Sequence, residues 1–452
     1  MVGSAVERLT QFVHSDKRFE IPYAELRQAQ IEAINERFQE RKRQIKLVAM
    51  RAKEADIAEV RDLGQVVPLL LPHTAYKSYP ENWLLEKRWD RLGKWLDSVS
   101  TYRVPLQDPA EISDVDDWVE KLESGGHCVS CSSGTTGKSA MLVASKADME
   151  WCKVETIAAY SWGSGIKPAQ DRRIFGLAAI AQVPRNMATR EAQLAAYSDP
   201  TKPPFPYPVP PITVGALTQM VVLRKQIADG TAKPSDIALY DKISAERQKA
   251  VDDAVGVTAR AVIEARKDKL HVSGLWAGLY NVAKAVRDMG YSAKDFNPEN
   301  SIYVGGGLKR AKLPEDYREF VYETFNIQPE RLYQNYSMQE LHTGMPRCQK
   351  GGRYHVSPWL VPLLLNKAGD ALLPIRDCEE TEGRAAFFDL SLDGRWGGVI
   401  SGDKICLDFS PCACGAKSPS VRDNVVRYAD LEGDDKIGCA GTVDAYVRGL
   451  SS

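Results

Sequence analysis

The sequence predicts an α/β protein, on three observations. Beyond residue 211, segments with helical spacing alternate with short apolar runs such as "SIYVGGG" and "WLVPLLL", the pattern of strands covered by helices. The stretch "HCVSCSSGTTGKSAMLVAS" sets two short apolar runs on either side of a polar loop, which reads as strand, loop, strand. The chain has 452 residues, 44% hydrophobic and 26% charged, an ordinary globular composition with ample length for a buried core.

Each element follows from local chemistry. Ile31, Ile34, Phe38 and Ile45 fall at helical spacing near the N-terminus, and a second helical run spans 83–99. The basic stretch "ERKRQIKLVAMRAK" is interleaved with acids and reads as a solvated helix face. Ser145 with Asp148 forms a capping box for the helix "KADMEWCKVETIAAY", which begins one strand after the polar loop. Residues 200–211, "PTKPPFPYPVPP", hold seven prolines and predict an extended connector. Helices are expected over 216–230, 244–268 and 276–289, and no internal repeat is visible.

Bulk properties exclude several classes. A net charge of -1 argues against nucleic acid or an anionic membrane held by bulk electrostatics. The opening "MVGSAVERLTQF" has no secretory pattern, and no apolar run is long enough to span a bilayer. A cytoplasmic protein with neither nucleic-acid nor membrane partner is therefore expected. Its nine cysteines then read as thiols or metal ligands rather than disulfides.

The loop Ser132-Ser133-Gly134-Thr135-Thr136-Gly137-Lys138 suggests phosphate chemistry. It is not a Walker A loop: Ser132 stands where the leading glycine belongs, and a strand rather than a helix follows. It resembles instead the phosphate-binding signature of the adenylate-forming superfamily (acyl-CoA synthetases, luciferases, nonribosomal adenylation domains). Gly134 and Gly137 let backbone N–H groups turn toward phosphate oxygens. Thr135 and Thr136 add hydroxyl donors, and Lys138 neutralises departing charge. Later stretches match the superfamily in order. "YVGGGLKR" (Gly305, Gly306, Gly307) resembles the glycine turn beside the adenine. "YQNYSMQELHTG" resembles the aromatic-Gly-x-Thr-Glu motif, with Tyr336 for the adenine and Glu340 for Mg²⁺; Ser337 and Gln339 replace its Gly and Thr. "GVISGDKI" offers Asp403 for the ribose hydroxyls.

"LLLPHTAYKSYP", the Tyr-x-Met-x-Glu form at 336–340 and "CQKGGRYHVSPW" look most like acyl-protein synthetases of the bacterial luminescence type, with phenylacetate–CoA ligases as relatives. This resemblance implies a large adenylation domain over 106–425, a mainly helical N-terminal region over 1–105 and a truncated C-terminal stub over 426–452. It implies an ATP- and Mg²⁺-dependent enzyme that converts a carboxylic acid to an acyl-adenylate, releases pyrophosphate and passes the acyl group to a small nucleophile or a partner protein. Family position puts the acid pocket near Ala181, Gln182, His271 and Trp276, whose character suggests an aromatic or medium-sized acid; a homodimer is implied by the family alone. His271 reads equally as a structural histidine. Other readings are an acyl-CoA ligase, adenylation of a non-carboxylate oxyanion, and a non-catalytic ATP-binding or zinc-dependent interaction module.

Cys412 and Cys414 in "SPCACGAKSP", with Cys348 and His355 in "CQKGGRYHVSP", make a tetrahedral Cys₃His set for structural Zn²⁺. Related phenylacetate-ligase-like proteins resemble it in pairing these two regions; reduced buried thiols are the alternative. Cys128, Cys131, Cys152, Cys378, Cys406 and Cys439 read as core thiols. Near the end, Asp434-Asp435-Lys436-Ile437 resembles the superfamily motif leading into a mobile C-terminal domain, with Glu432 in place of its Arg. Only 17 residues follow Asp435, so the expectation is a lid absent or vestigial and a chain that makes and holds the acyl-adenylate.

Overall fold

A computed structural model describes residues 3–80, 82–131, 138–306, 308, 311–375, 379–432 and 437. Contacts divide them into two compact units, one of residues up to 152 together with those from 338 onward, the other of residues 153–337. The architecture is α/β, as the alternation predicts.

The first unit opens with helices at Ala5–Thr10, Tyr23–Gln44, Lys46–Glu54 and Trp89–Val99. Ile34, Phe38 and Ile45 are fully buried, which explains the periodicity. Ile45 is extended and divides what the sequence presents as one helix into two. The basic stretch departs from the solvated-face reading at two positions. Arg41 is buried and pairs with Asp393 at 3.3 Å, and buried Arg51 donates through Nε to the Pro68 carbonyl at 2.7 Å. Long side chains lay their methylenes through apolar surface and satisfy their heads locally, which a charge pattern alone does not reveal.

Three strands follow in this part of the unit: β1 (Leu71–Pro72), β2 (Cys128–Cys131) and β3 (Met141–Ala144). β2 and β3 pair antiparallel with Cys131 opposite Met141, so the predicted strands flank the polar loop. Ser132, Ser133, Gly134, Thr135, Thr136 and Gly137 lie outside the described residues. The capping box is reciprocal: Asp148 N–H donates to Ser145 Oγ at 3.1 Å and Ser145 N–H to Asp148 Oδ2 at 2.8 Å. It starts the helix Lys146–Ser164.

The second unit carries parallel strands β4 (Arg173–Gly176), β5 (Leu270–Gly274), β6 (Ser301–Val304) and β7 (Leu332–Tyr336), adjacent in that order. Helices Val214–Ala228, Pro234–Glu264, Trp276–Asp288 and Tyr317–Phe325 belong to it. Its core packs Val262, Leu270, Val272, Leu279 and Ile302 together. The helix expected from 244 begins at Pro234, where proline at the first helical position and the Asp236 carboxylate on the Lys233 N–H mark a start. Residues 200–211 contain no helix and touch the sheet through an isolated bridge between Phe205 and Phe175.

The chain returns to the first unit with β8 (Met345–Pro346), β9 (Arg353–His355), β10 (Leu360–Leu365), β11 (Glu380–Asp389), β12 (Gly398–Asp408), β13 (Ser420–Arg422) and β14 (Val426–Arg427). The order β10-β11-β12-β13-β9 is antiparallel throughout. β1 joins β12 in parallel with Leu71 opposite Val399, and β14 joins it antiparallel with Arg427 opposite Asp403. Tyr428–Glu432 is a short helix and Ile437 is buried, while Asp434, Asp435 and Lys436 lie outside the described residues. Among the described residues, no helix is long and apolar enough to cross a membrane.

His271 on β5 is 1% exposed, and its Nδ1 lies 2.9 Å from the Tyr160 hydroxyl and 3.1 Å from Ser301 Oγ. Burial, with the Arg172 charge, pulls the imidazole down to about 3, so it is neutral in the fold. A base with a lowered folded-state value contributes stability that is whole above its unfolded value and lost as pH falls. Between roughly pH 8 and pH 5 the native state is therefore expected to lose about 2 kcal/mol through His271. Denaturant unfolding should show this slope, and His271→Asn should flatten it even where it lowers stability overall. An unchanged slope in that variant would contradict the reading.

Candidate functional site

In the first unit the chemistry-bearing residues are held by buried polar anchors. Segment 339–343 follows β7 and has little regular structure of its own, so its backbone groups need partners. Arg395, 1% exposed, donates from Nη2 to the carbonyls of Gln339 at 3.2 Å and Glu340 at 3.0 Å, and from Nη1 to that of Val143 on β3 at 2.8 Å. Asp389, also 1% exposed, accepts the N–H groups of His342 and Thr343, each at 2.9 Å. Trp359 Nε1 donates to the Thr343 hydroxyl at 2.8 Å. Glu340 is thus half-buried on a segment fixed at both of its flanks.

Asp148 supplies the third anchor. It is fully buried, and its carboxylate accepts the N–H groups of Asp393 and Gly394 at 2.8 and 2.7 Å while facing His342 Nδ1 at 3.2 Å. Burial alone would raise this carboxyl. His342, Arg395 and the backbone donor of Asp393 outweigh it and hold the group well below the usual carboxylate range. A Cβ at Gly394 would lie 2.5 Å from the Ser145 nitrogen, so only glycine permits this approach.

The turn His73–Lys77 follows β1 and leads into Tyr79. Tyr76 and Tyr79 are buried at 1% and 0% exposure, and the Tyr79 hydroxyl donates to the Ser139 carbonyl at 2.8 Å. Lys138 Nζ donates to the Tyr79 carbonyl and stands 4.4 Å from the centre of the Tyr79 ring. Half-buried Lys77 is pulled below the ordinary lysine value by burial; Glu340 opposes this and Arg427 adds to it. Arg427 faces Asp403, with Nε 3.6 Å from Oδ1, and Asp403 is 9% exposed. The fold thereby sets Lys138 on Tyr79 and Arg427 beside Asp403, while Arg395 holds the carbonyl of Glu340 and Asp148 faces His342 two residues on; no motif role falls on Lys77, Arg395 or Arg427. Lys77 carried a signal: it is the cation between two tyrosines in "AYKSYP". Gln339 keeps a buried side-chain oxygen with no hydrogen-bond partner among the described residues.

In the second unit, Gly305 N–H donates to the Gly274 carbonyl at 3.2 Å, and Gly306 has φ +84°, a conformation that glycine supplies without strain. Gly307 lies outside the described residues. Tyr336 is half-buried and Ser337 exposed. Of the four expected pocket residues, Ala181 is half-buried and Gln182 exposed. Trp276 is 2% exposed and meets Tyr317 edge-on at 5.0 Å, so, like His271, its side chain is spent on the core.

Cys348, His355, Cys412 and Cys414 form a separate cluster, with all ligand atoms within 4.8 Å of one another. Pairing of β13 with β9 puts Ser420 opposite His355 and so brings the preceding cysteine turn to it. That turn closes through Gly415 N–H to the Cys412 carbonyl at 2.9 Å, with Gly415 at φ +94°. A tetrahedral ion with Zn–S bonds of about 2.3 Å and Zn–N of about 2.0 Å spaces sulfurs by roughly 3.8 Å and sulfur from nitrogen by roughly 3.5 Å. Cys348 and Cys412 sulfurs lie 4.0 Å apart, and Cys414 sulfur lies 3.5 Å from His355 Nε2, so the donor set fits. His355 Nδ1 lies 3.3 Å from the Ser418 hydroxyl, which orients the ring. Burial and Arg353 pull His355 down to about 4, leaving the neutral imidazole a metal takes. A Cβ at Gly351 would lie 2.1 Å from the Cys412 sulfur, so the cradle is closed around the thiols. Cys128, Cys131, Cys152 and Cys406 are buried thiols not joined in disulfides; Cys378 and Cys439 lie outside the described residues.

No family model and no curated protein matches the chain. Solved structures do. The fold is similar to that of 2-hydroxyisobutyryl-CoA ligase in complex with 2-HIB-AMP and CoA in the thioesterification state, with a TM-score of 0.57 and 13% identity over 91% of this chain and 70% of that one. The same ligase in the postadenylation state with R3-HIB-AMP gives 0.56 and 12% over 92% and 70%. Its open conformation gives 0.52 and 12% over 92% and 77%. The likeness establishes the fold. It is a fold that, in that ligase, holds an acid joined to AMP.

The cluster generates a direct expectation. Protein purified without chelator should carry about one equivalent of divalent metal, lost in Cys412→Ser, and a strong chelator should lower its melting temperature. Less than a tenth of an equivalent, with melting indifferent to chelator, would contradict the fit.

Proposed function

We propose that the chain is an AMP-forming ligase that adenylates a carboxylic acid. The observation that carries this reading is the segment bearing Glu340, fixed by Arg395 to β3 and by Asp389 at its far flank, in a fold shared with a ligase solved with an acyl-adenylate. In this reading Asp403 accepts the ribose hydroxyls, and the loop Ser132–Gly137 with Lys138 takes the phosphates. Glu340 would hold Mg²⁺, which supplies charge neutralisation when bound. Gln339 supports the reading: turning its amide over replaces an unpartnered oxygen with N–H donors, which suit a phosphate.

The acid is already ionised at neutral pH, so no side chain need abstract a proton. A carboxylate oxygen bonds to the α-phosphorus, the bond to the bridging oxygen breaks, and pyrophosphate leaves with that electron pair. What remains for the protein is alignment and stabilisation of charge, which the fixed segment at 339–343 suits. The Cys₃His cluster we assign to structural Zn²⁺, because four protein ligands leave no open coordination position.

CoA as the acyl acceptor is a second reading, favoured by the related fold having been solved with CoA. Thioester formation from acid, ATP and CoA, measured against hydroxamate formation with hydroxylamine, separates it from transfer to another nucleophile.

Acid-dependent exchange of labelled pyrophosphate into ATP, run across aryl and fatty acids, tests the proposal. Lys138→Ala is expected to stay folded and to lose about 100-fold or more of the exchange rate. Exchange near the wild-type rate in that variant would overturn the role of Lys138. Absence of exchange with every acid in the wild type would overturn the function.

A further inference from the structure

The last turns of the helix Tyr23–Gln44 set three arginines about one cleft of the first unit. Arg37, Glu40, Arg41 and Arg43 from the helix, with Tyr102 and Asp393, line a space of about 400 Å³. Arg37 and Arg41 stand four residues apart on one helix face, where like charges repel. The acids beside them are shared and distant. Glu40 Oε2 lies 3.4 Å from Arg37 Nη1 and 3.8 Å from Arg41 Nη1. Asp393 Oδ1 lies 3.3 Å from Arg41 Nη2, and that carboxylate also accepts the Ser145 hydroxyl at 2.7 Å and the Tyr102 hydroxyl at 2.8 Å. Exposed Arg43 donates from Nε to the Gln39 carbonyl at 2.9 Å and has no acidic partner among the described residues.

Arg41 is the least satisfied of the three. It is 4% exposed, yet its Nε has no hydrogen-bond partner among the described residues. A guanidinium cannot shed its proton, so burial leaves it charged, and a buried charge is tolerated only when its donors and its charge are both met. Three guanidiniums against the carboxylates of Glu40 and Asp393 leave one positive charge. The C-terminus of the helix offsets roughly half a charge, so the cleft stays cationic. Guanidinium forks match the oxygens of an oxyanion bidentately, and a phosphate group offers more acceptor oxygens and more charge than a carboxylate. We propose that this cleft is an anion-binding site for a phosphate group, held by Arg41 and Arg43 with Arg37 beside them. None of these residues has a part in the adenylation reading, so the site is a second one and stands without that reading.

Calorimetry of the full chain with inorganic phosphate, and separately with acetate at the same ionic strength, tests this in wild type, Arg43→Gln, Arg43→Lys and Lys138→Ala. Arg43 is exposed, so its variants are expected to melt as wild type does. Wild type should bind phosphate with a dissociation constant of about 1 mM or tighter, and acetate more weakly. Arg43→Gln should weaken phosphate about 10-fold, Arg43→Lys should recover part of that loss, and Lys138→Ala should bind phosphate as wild type does. Phosphate binding that survives Arg43→Gln, or is lost in Lys138→Ala instead, would put the anion at the candidate nucleotide site; it would overturn the inference and leave the proposed function standing. Equal affinity for acetate and phosphate would overturn the assignment to a phosphate group. No binding by wild type at about 10 mM phosphate would overturn the site itself.

Discussion

One buried carboxylate organises the first unit. Asp148 has no exposed surface, yet it stays ionised because it accepts three backbone N–H groups, from Ser145, Asp393 and Gly394, and faces His342. Those contacts join three segments far apart in sequence: the start of the helix after β3, the turn before β12, and the segment that carries Glu340. Deleting one partner of such a buried arrangement generally costs about 3–5 kcal/mol, because the remaining groups are left without solvent or partner. Arg395 repeats the pattern one residue from Gly394, tying β3 to the carbonyls of Gln339 and Glu340. A carboxylate such as that of Glu340 on an irregular segment is positioned only if the segment is fixed, and Asp148, Asp389 and Arg395 fix it.

Local chemistry made much of this legible. The capping box of Ser145 and Asp148 is a short-range pattern, and it forms as the spacing predicts. The strands flanking the polar loop, the helix near 276–289 and the prolines of 200–211 are likewise decided within a few residues. The second use of Asp148, on residues about 190 to 250 positions away, has no local signature. The same holds for Arg41 and Arg51, whose burial depends on Asp393 and Pro68 and not on the charges beside them. His271 and Trp276 carried pocket-like chemistry in sequence, but an imidazole or indole reads alike whether it lines a cavity or completes a core.

The cysteine–histidine cluster shows the opposite case. Its four residues come from two short stretches, each with close internal spacing, and antiparallel pairing of β9 with β13 is enough to bring them together. Its neighbours extend its reach. The Phe19 carbonyl accepts the N–H groups of Lys417 and Ser418 at 2.8 and 2.9 Å, and the Phe19 ring lies 5.5 Å from that of His355. Between the two ligands of the first stretch, Arg353 pairs with fully buried Asp408 at 2.8 Å, at the end of the strand that carries Asp403. A metal held there would fasten the N-terminal helices to the sheet of the candidate site.

In the proposed reaction a carboxylate attacks the α-phosphorus of ATP. The most direct measurement supplies an acid labelled with ¹⁸O in both carboxylate oxygens, with ATP, Mg²⁺ and hydroxylamine as acceptor, and weighs the nucleotide product. Adenylation predicts AMP carrying one ¹⁸O atom from the acid, formed in step with acyl hydroxamate and unlabelled pyrophosphate. Labelled phosphate alongside ADP would place the attack on the γ-phosphorus and contradict the account.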